Sequence, residues 1–280
     1  MLSGILYQLI SMFSFGTGNV LWKLPQKSFG VFKIIVLRTS VSVTLIGGLA
    51  FFTSTFKGNL YEWIIAIIIS AISFLGLLFY NLSIKYSTVS QSITIISMGA
   101  VFGVITSAIA YSEVTKWNLW LSLLIIVIGL FFLENKKPIL NWSKGSYYAL
   151  LAAFFLGTTF ALFRIPAKAL GEVNFSLVLE FTVLSCALVG LFFQKRMKYE
   201  FYPTIRTYLI IAAIGILGFL GVLFYNLAVT IVDVSVLSVM GAFTPVISIG
   251  VSLVILKERF KPIQYIGMGL TVGAVLLLLI

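Results

Sequence analysis

One eight-residue string constrains this chain more than any other feature. LGLLFYNL at residues 75–82 returns as LGVLFYNL at residues 220–227, seven of eight letters identical at a shift of 145. The same shift carries Glu113 and Lys116 of YSEVTKW onto Glu258 and Lys261 of LKERFKP. Nearer the start, GTGNVLWKLPQKSFG (residues 16–30) lines up with GTTFALFRIPAKALG (residues 157–171) at a shift of 141, so the halves differ by a few inserted residues. Apolar segments built from few letters match each other easily. Here, however, Tyr and Asn recur together, and the charged pair keeps its phase outside the apolar runs. The chain therefore reads as two copies of one long unit.

Each copy is built from stretches long enough to cross a bilayer. Of the 280 residues, 60% are apolar and 10% charged, whereas a water-soluble domain carries about a quarter charged residues. A helix needs about 20 mostly apolar residues to span the hydrocarbon, and such windows run at about 4–24, 31–53, 60–82, 88–111, 117–133, 146–165, 173–194, 205–227, 232–256 and 262–280. The polar linker from Glu134 to Gly145 is the natural boundary, giving repeats at residues 1–139 and 140–280. Five crossings per unit force the second copy to enter from the opposite side. The expected fold is an all-α polytopic membrane protein of ten transmembrane helices, arranged as two inverted-topology repeats of five. Secondary transporters commonly have this plan, with the substrate site between the copies.

A net charge of +11 raises nucleic acid as a partner, but the basic residues fall mainly between apolar runs, where positive-inside sorting accounts for them and the lipid bilayer is the partner. The loops that join odd to even spans hold fourteen Lys and Arg against four on the other face. That bias predicts cytoplasmic odd-to-even loops and both termini outside a cell membrane. The first run begins at once without a basic flank, which reads as a first span rather than a cleaved signal. There is no histidine, only one cysteine (Cys186) and eight acidic residues. No P-loop, dinucleotide fingerprint or paired acid sits at catalytic spacing. The expectation is a non-enzyme with no cofactor or metal.

A few polar residues inside the spans are the candidates for function. Arg38 lies about two turns into the second span, where a guanidinium must face protein or a water-filled cavity. It either anchors an anionic group or snorkels to nearby headgroups. Glu180, 142 positions later and at the corresponding depth of span seven, is the candidate for proton coupling, or else a salt-bridge partner of Arg38. Tyr80 and Asn81, with Tyr225 and Asn226, end spans three and eight. They suit opposite mouths of one cavity, or helix-to-helix hydrogen bonds. Asn19, Trp22, Thr158 and Thr159 mark spans one and six. Gln91, Ser92, Thr94 and Ser97 form a stripe in span four, matched by Ser235, Ser238, Thr244 and Pro245 in span nine. Pro245 bends span nine, but its counterpart is Ala100, so the sequence predicts a kink in one half alone. GxxxG pairs at Gly99–Gly103 and Gly269–Gly273 allow close packing, the latter within a monomer or a weak homodimer. Glu113 and Glu258 are read as caps or loop ion pairs.

The whole chain resembles the drug/metabolite transporter superfamily, specifically its ten-helix EamA-like members. The five-plus-five plan carries the resemblance, together with Arg38 within VLRTS, MGAFTPVISIG of span nine, and LKERFKPIQYIGMGLTVGAVLLL echoed by YSEVTKWNLWLSLLIIVIGLFFL. It implies an alternating-access carrier whose spans one to four and six to nine surround a central cavity, with five and ten peripheral. Arg38 matches the family's span-two arginine and Pro245 its span-nine proline. Ala100 departs from the proline often found in the first half, and Glu180 is no family signature. Relatives move amino acids, sugars, nucleotide sugars, phosphorylated sugars, choline or drugs, and many are drawn with cytoplasmic termini, against the charge count here. One arginine and many hydroxyls suit a small-molecule substrate bearing a carboxylate with an amine or neutral tail, and amino-acid export is the leading expectation. A channel, a non-transporting scaffold, or a carrier of sugars or phosphorylated or nucleotide-linked metabolites are the alternatives.

Overall fold

The computed structural model describes residues 2–53, 57–87, 89–113, 116–133, 143–193, 202–255 and 262–277. Its elements are α1 (Leu2–Leu21), α2 (Val31–Thr53), α3 (Leu60–Tyr86), α4 (Val89–Ser97), α5 (Gly99–Tyr111), α6 (Trp117–Leu133), α7 (Lys144–Leu162), α8 (Arg164–Leu170), α9 (Glu172–Phe193), α10 (Ile205–Val229), α11 (Val234–Gly241), α12 (Thr244–Ile255) and α13 (Pro262–Leu277). An apolar chain in lipid can satisfy its backbone only internally, and helices do so within each segment. Seven helical stretches are long and apolar enough to cross a membrane: α2, α3, α9, α10, and the pairs α4–α5, α7–α8 and α11–α12, counted over their described apolar stretches. α6 and α13 are shorter apolar helices.

The burial pattern is that of a protein dissolved in lipid. Phe51 and Phe192 are 84% and 86% exposed, while Thr39, Ser42, Asn81, Ser176 and Asn226 are fully buried. Polar side chains collect where helices meet, within an apolar core, and large apolar side chains also face outward. Many hydroxyls return a hydrogen bond to their own helix, as Ser70 does to the Ala66 carbonyl at 2.6 Å. Helix ends are fixed by local chemistry. At α3, the Asn59 side chain accepts from the Glu62 N–H at 3.0 Å while Glu62 accepts from the Asn59 N–H at 2.8 Å. At its other end, the Lys23 ammonium donates to the carbonyls of Ile84 and Ser87. Burial, then the neighbouring Lys27, hold Lys23 below the usual lysine range.

Packing exchanges partners between the halves. α1 lies along α10, and α7 lies along α3. α2 faces α9, with α2 also on α10 and α9 on α3. α12 packs against α1, α5 against α7, and α6 pairs with α13 away from the centre. On α13, Gly269 and Gly273 have nothing within 4 Å of a built Cβ among the described residues.

Three stretches expected as single spans are each two helices: residues 88–111 break at Met98, 146–165 at Phe163 and 232–256 at Ala242–Phe243. The expectation of a kink in one half alone is thereby corrected. In the second half Pro245 occupies the first turn of α12, where a missing N–H is tolerated. In the first half the break has no proline, and α7 comes so close beside it that backbone meets backbone. A Cβ on Gly157 would be driven into the Gly99 carbonyl oxygen and would stand 2.8 Å from the Gly99 carbonyl carbon. The matching contact sets Gly16 against the Thr244 carbonyl oxygen, 3.3 Å from a built Cβ, and the Ser248 hydroxyl donates to the Gly16 carbonyl at 3.0 Å. Glu258, Lys261, the linker 134–142 and several basic residues of the charge count lie outside the described residues.

Candidate functional site

Arg38 and Glu180 meet. Nη1 of the guanidinium donates to Oε1 of the carboxylate at 3.1 Å, joining α2 to α9 across 142 residues. Arg38 is 7% exposed and Glu180 1%, so the arginine turns inward rather than to the headgroups. Two neighbours make room for it. The guanidinium carbon lies 5.9 Å from the centre of the Trp22 ring, a distance at which cation and aromatic face attract. On the other side is Gly218, where a Cβ would come within 2.5 Å of Arg38 Nη1. Ser42, one helical turn on, donates to the Gly215 carbonyl at 2.7 Å and ties α2 to α10 at the same level. Arg38 Nε and Glu180 Oε2 are buried and have no partner among the described residues. The pair is thus made through one bond, with hydrogen-bonding capacity left on both sides.

This ion pair sits in the wall of a cavity of about 250 Å³ between the two halves. Six aromatic side chains, Phe15, Trp22, Tyr80, Phe160, Phe163 and Tyr225, stand in a wall otherwise made mainly of aliphatic and small residues. The Tyr80 hydroxyl donates to Asn19 Oδ1 at 2.6 Å, and its ring meets Trp22 edge-on with centroids 6.4 Å apart. The Tyr225 hydroxyl donates to the Phe160 carbonyl at 3.0 Å, and its ring meets Phe163 edge-on at 6.2 Å. Asn19 and Trp22 stand 141 positions before Phe160 and Phe163 in the sequence. Each tyrosine therefore reaches the same pair of positions in its own half. Gln8, Ser11, Ser73 and Ser97 add scattered hydroxyl and amide groups to the wall.

Of the residues singled out from sequence, Asn19, Trp22, Arg38, Tyr80, Ser97, Gly99, Ala100, Glu180, Tyr225, Ser238 and Thr244 line this cavity. Asn81, Thr94, Thr158, Asn226 and Pro245 are not among its lining residues. Asn81 donates to the Leu77 carbonyl of its own helix at 2.9 Å, and Asn226 donates to the Ser176 hydroxyl at 2.8 Å, tying α10 to α9. The Gln91 side chain lies outside the described residues. Sequence reasoning passed over Phe160 and Phe163, although the alignment of residues 16–30 with 157–171 sets them opposite Asn19 and Trp22. Among the described residues no three His, Cys, Asp or Glu side chains converge as metal ligands.

Comparison with known proteins agrees with this architecture. No curated protein matches the sequence. One solved crystal structure, that of a protein with no further description, is similar over 99% of this chain and 96% of its own, with a TM-score of 0.75 at 18% identity, and so shares the fold. A family model described as the EamA-like transporter family matches residues 2–134 and 143–280. With nearly the whole chain covered, this protein belongs to the EamA-like transporter family.

Proposed function

We propose that this chain is a secondary active carrier of small zwitterionic metabolites, amino acids above all, working by alternating access between two inverted repeats of five spans. The observation that carries the reading is the buried Arg38–Glu180 pair in the wall of a mainly apolar cavity with aromatic side chains and scattered hydroxyls. A zwitterion can open such a pair without changing the charge of the site: its carboxylate takes the place of Glu180 on Arg38, and its ammonium takes the place of Arg38 on Glu180. A neutral sugar carries no charge to replace either partner, and a sugar phosphate would add uncompensated negative charge beside a buried carboxylate. The cavity is also small. Drug-sized ligands occupy pockets of roughly 300–1,000 Å³, so about 250 Å³ suits a metabolite. Aromatic walls favour substrates with a bulky apolar side chain.

The inverted ten-span plan draws support from the odd number of apolar runs per half, the sequence repeats and the exchange of packing partners between halves. Outside termini, a cell-membrane location and export follow from loop charge and from resemblance, and Glu180 is the candidate proton site. Purified protein in proteoliposomes, offered amino acids, sugars and sugar phosphates with and without a pH gradient, tests the substrate and the coupling. Saturable amino-acid uptake is expected, and Glu180→Gln, which removes both the candidate proton site and the partner of the substrate's ammonium, is expected to abolish it together with its response to the gradient. Movement of sugars or phosphates in place of amino acids would sink the substrate assignment, and a flux that never saturates would favour a channel.

A further inference from the structure

We propose that Glu113 is the latch that holds the cavity shut on the face where α5 ends and α11 begins, and that its release opens that face. The inference rests on the carrier reading above but uses residues that take no part in the proposed substrate site. Glu113 follows α5 after Ser112, which turns the chain through a left-handed conformation with φ of 52°. Its carboxylate then binds two other elements at once. Oε1 accepts from Arg164 Nη1 at 2.7 Å and from the Val234 N–H at 3.0 Å, while Oε2 accepts from the Ser235 N–H at 2.9 Å. These partners lie 51, 121 and 122 positions away. A carboxylate on the first N–H groups of α11 satisfies donors the helix cannot, and sits at the positive end of its dipole.

The latch stands directly over the cavity wall. Arg164 follows Phe163, and Val234 and Ser235 lie one turn before Leu237 and Ser238; Phe163, Leu237 and Ser238 all line the cavity. The Arg164 guanidinium carbon is 5.3 Å from the centre of the Tyr111 ring, and the Tyr111 hydroxyl donates to the Ala161 carbonyl at 2.9 Å. The end of α5, the junction of α7 with α8, and the start of α11 are therefore drawn together through one side chain. The opposite end carries different chemistry. Lys23, 141 positions before Arg164, is bound to backbone carbonyls of α3 and the residue after it. One carboxylate making three charge-assisted bonds is strong enough to hold a face closed. It is also few enough contacts for substrate binding to release.

Thiol accessibility tests this without requiring transport. In a Cys186→Ser background, Ser97→Cys places a thiol on the cavity wall, and Lys116→Cys in a separate protein marks the Glu113 face. Membrane vesicles of both orientations are treated with a charged, impermeant methanethiosulfonate. Glu113→Gln keeps the shape of the side chain but loses its charge. It is expected to speed labelling of the Ser97→Cys thiol from the Glu113 face about tenfold or more, and to slow labelling from the other face. A merely structural role would loosen both faces together, so faster labelling from both overturns the latch, as does a rate unchanged from the Glu113 face. Equal and rapid labelling from both faces while Glu113 is intact overturns the latch and the carrier reading together. Should Glu113→Gln fail to fold, Arg164→Gln, which leaves both backbone caps in place, carries the same expectation in the same direction.

Discussion

Arg38→Met alone is expected to abolish transport and to destabilise the protein by about 3–5 kcal/mol, whereas Arg38→Met combined with Glu180→Leu regains most of the stability and none of the transport. Glu180 is 1% exposed and its only partner among the described residues is the Arg38 guanidinium at 3.1 Å. Removing the arginine strands a carboxylate in a low-dielectric site, and that stranded charge, rather than the lost bond, dominates the damage. Replacing both residues removes the stranded charge. Apolar side chains of similar size fill the space between α2 and α9, and such swaps are often neutral or stabilising. Transport separates a structural pair from a working one. If the pair only holds helices together, the double variant transports as well as it folds; if a zwitterion must take the place of each partner, it folds and transports nothing. Thermal midpoints of the purified proteins and uptake in proteoliposomes measure the two sides of the cycle. Recovery of uptake along with stability would remove the pair from the mechanism.

Much of the architecture was legible because a membrane solvent leaves few options. Long apolar runs have to become helices, and residues 31–53 do so with the bounds read from the sequence. Arg38 and Glu180 were legible as a pair for a related reason, since two charged residues at equal depth in apolar segments can hardly avoid a partner. The walls of the cavity were not. Phe160 and Phe163 look like any other phenylalanine of a lipid-facing helix, such as the exposed Phe154 and Phe181, and only their positions in the repeat set them apart. Asn81 and Asn226 misdirect in the opposite sense. A carboxamide in an apolar span seeks hydrogen bonds, and here the amide nitrogens find a carbonyl of the same helix and a neighbouring serine. Glu113 was read as a cap or loop ion pair, and it is both. That its partners lie on α8 and α11 depends on tertiary packing, which one sequence does not state.

The helix break at Met98 gives the other large effect, on stability first. Gly157→Ala is expected to destabilise the protein by about 1–3 kcal/mol or more and to slow transport, while Gly250→Ala leaves both near their starting values. In an open helical position, alanine is favoured over glycine by up to about 1 kcal/mol, and Gly250 on α12 has nothing within 4 Å of a built Cβ. At Gly157 that preference is outweighed, because the new methyl would meet the carbonyl group of Gly99, which belongs to a backbone that cannot rotate away. α7 must back off from the start of α5, and Gly157, Gly99 and Ala100 together form part of the cavity wall. Gly16→Ala should fall between the two, since its nearest neighbour is the Ile247 side chain at 2.8 Å and the Thr244 carbonyl oxygen stands 3.3 Å away. Thermal midpoints in detergent give the ranking. If Gly157→Ala proves as stable as Gly250→Ala, the backbone contact does not hold the break, and the shape of α4–α5 must be set by its own sequence.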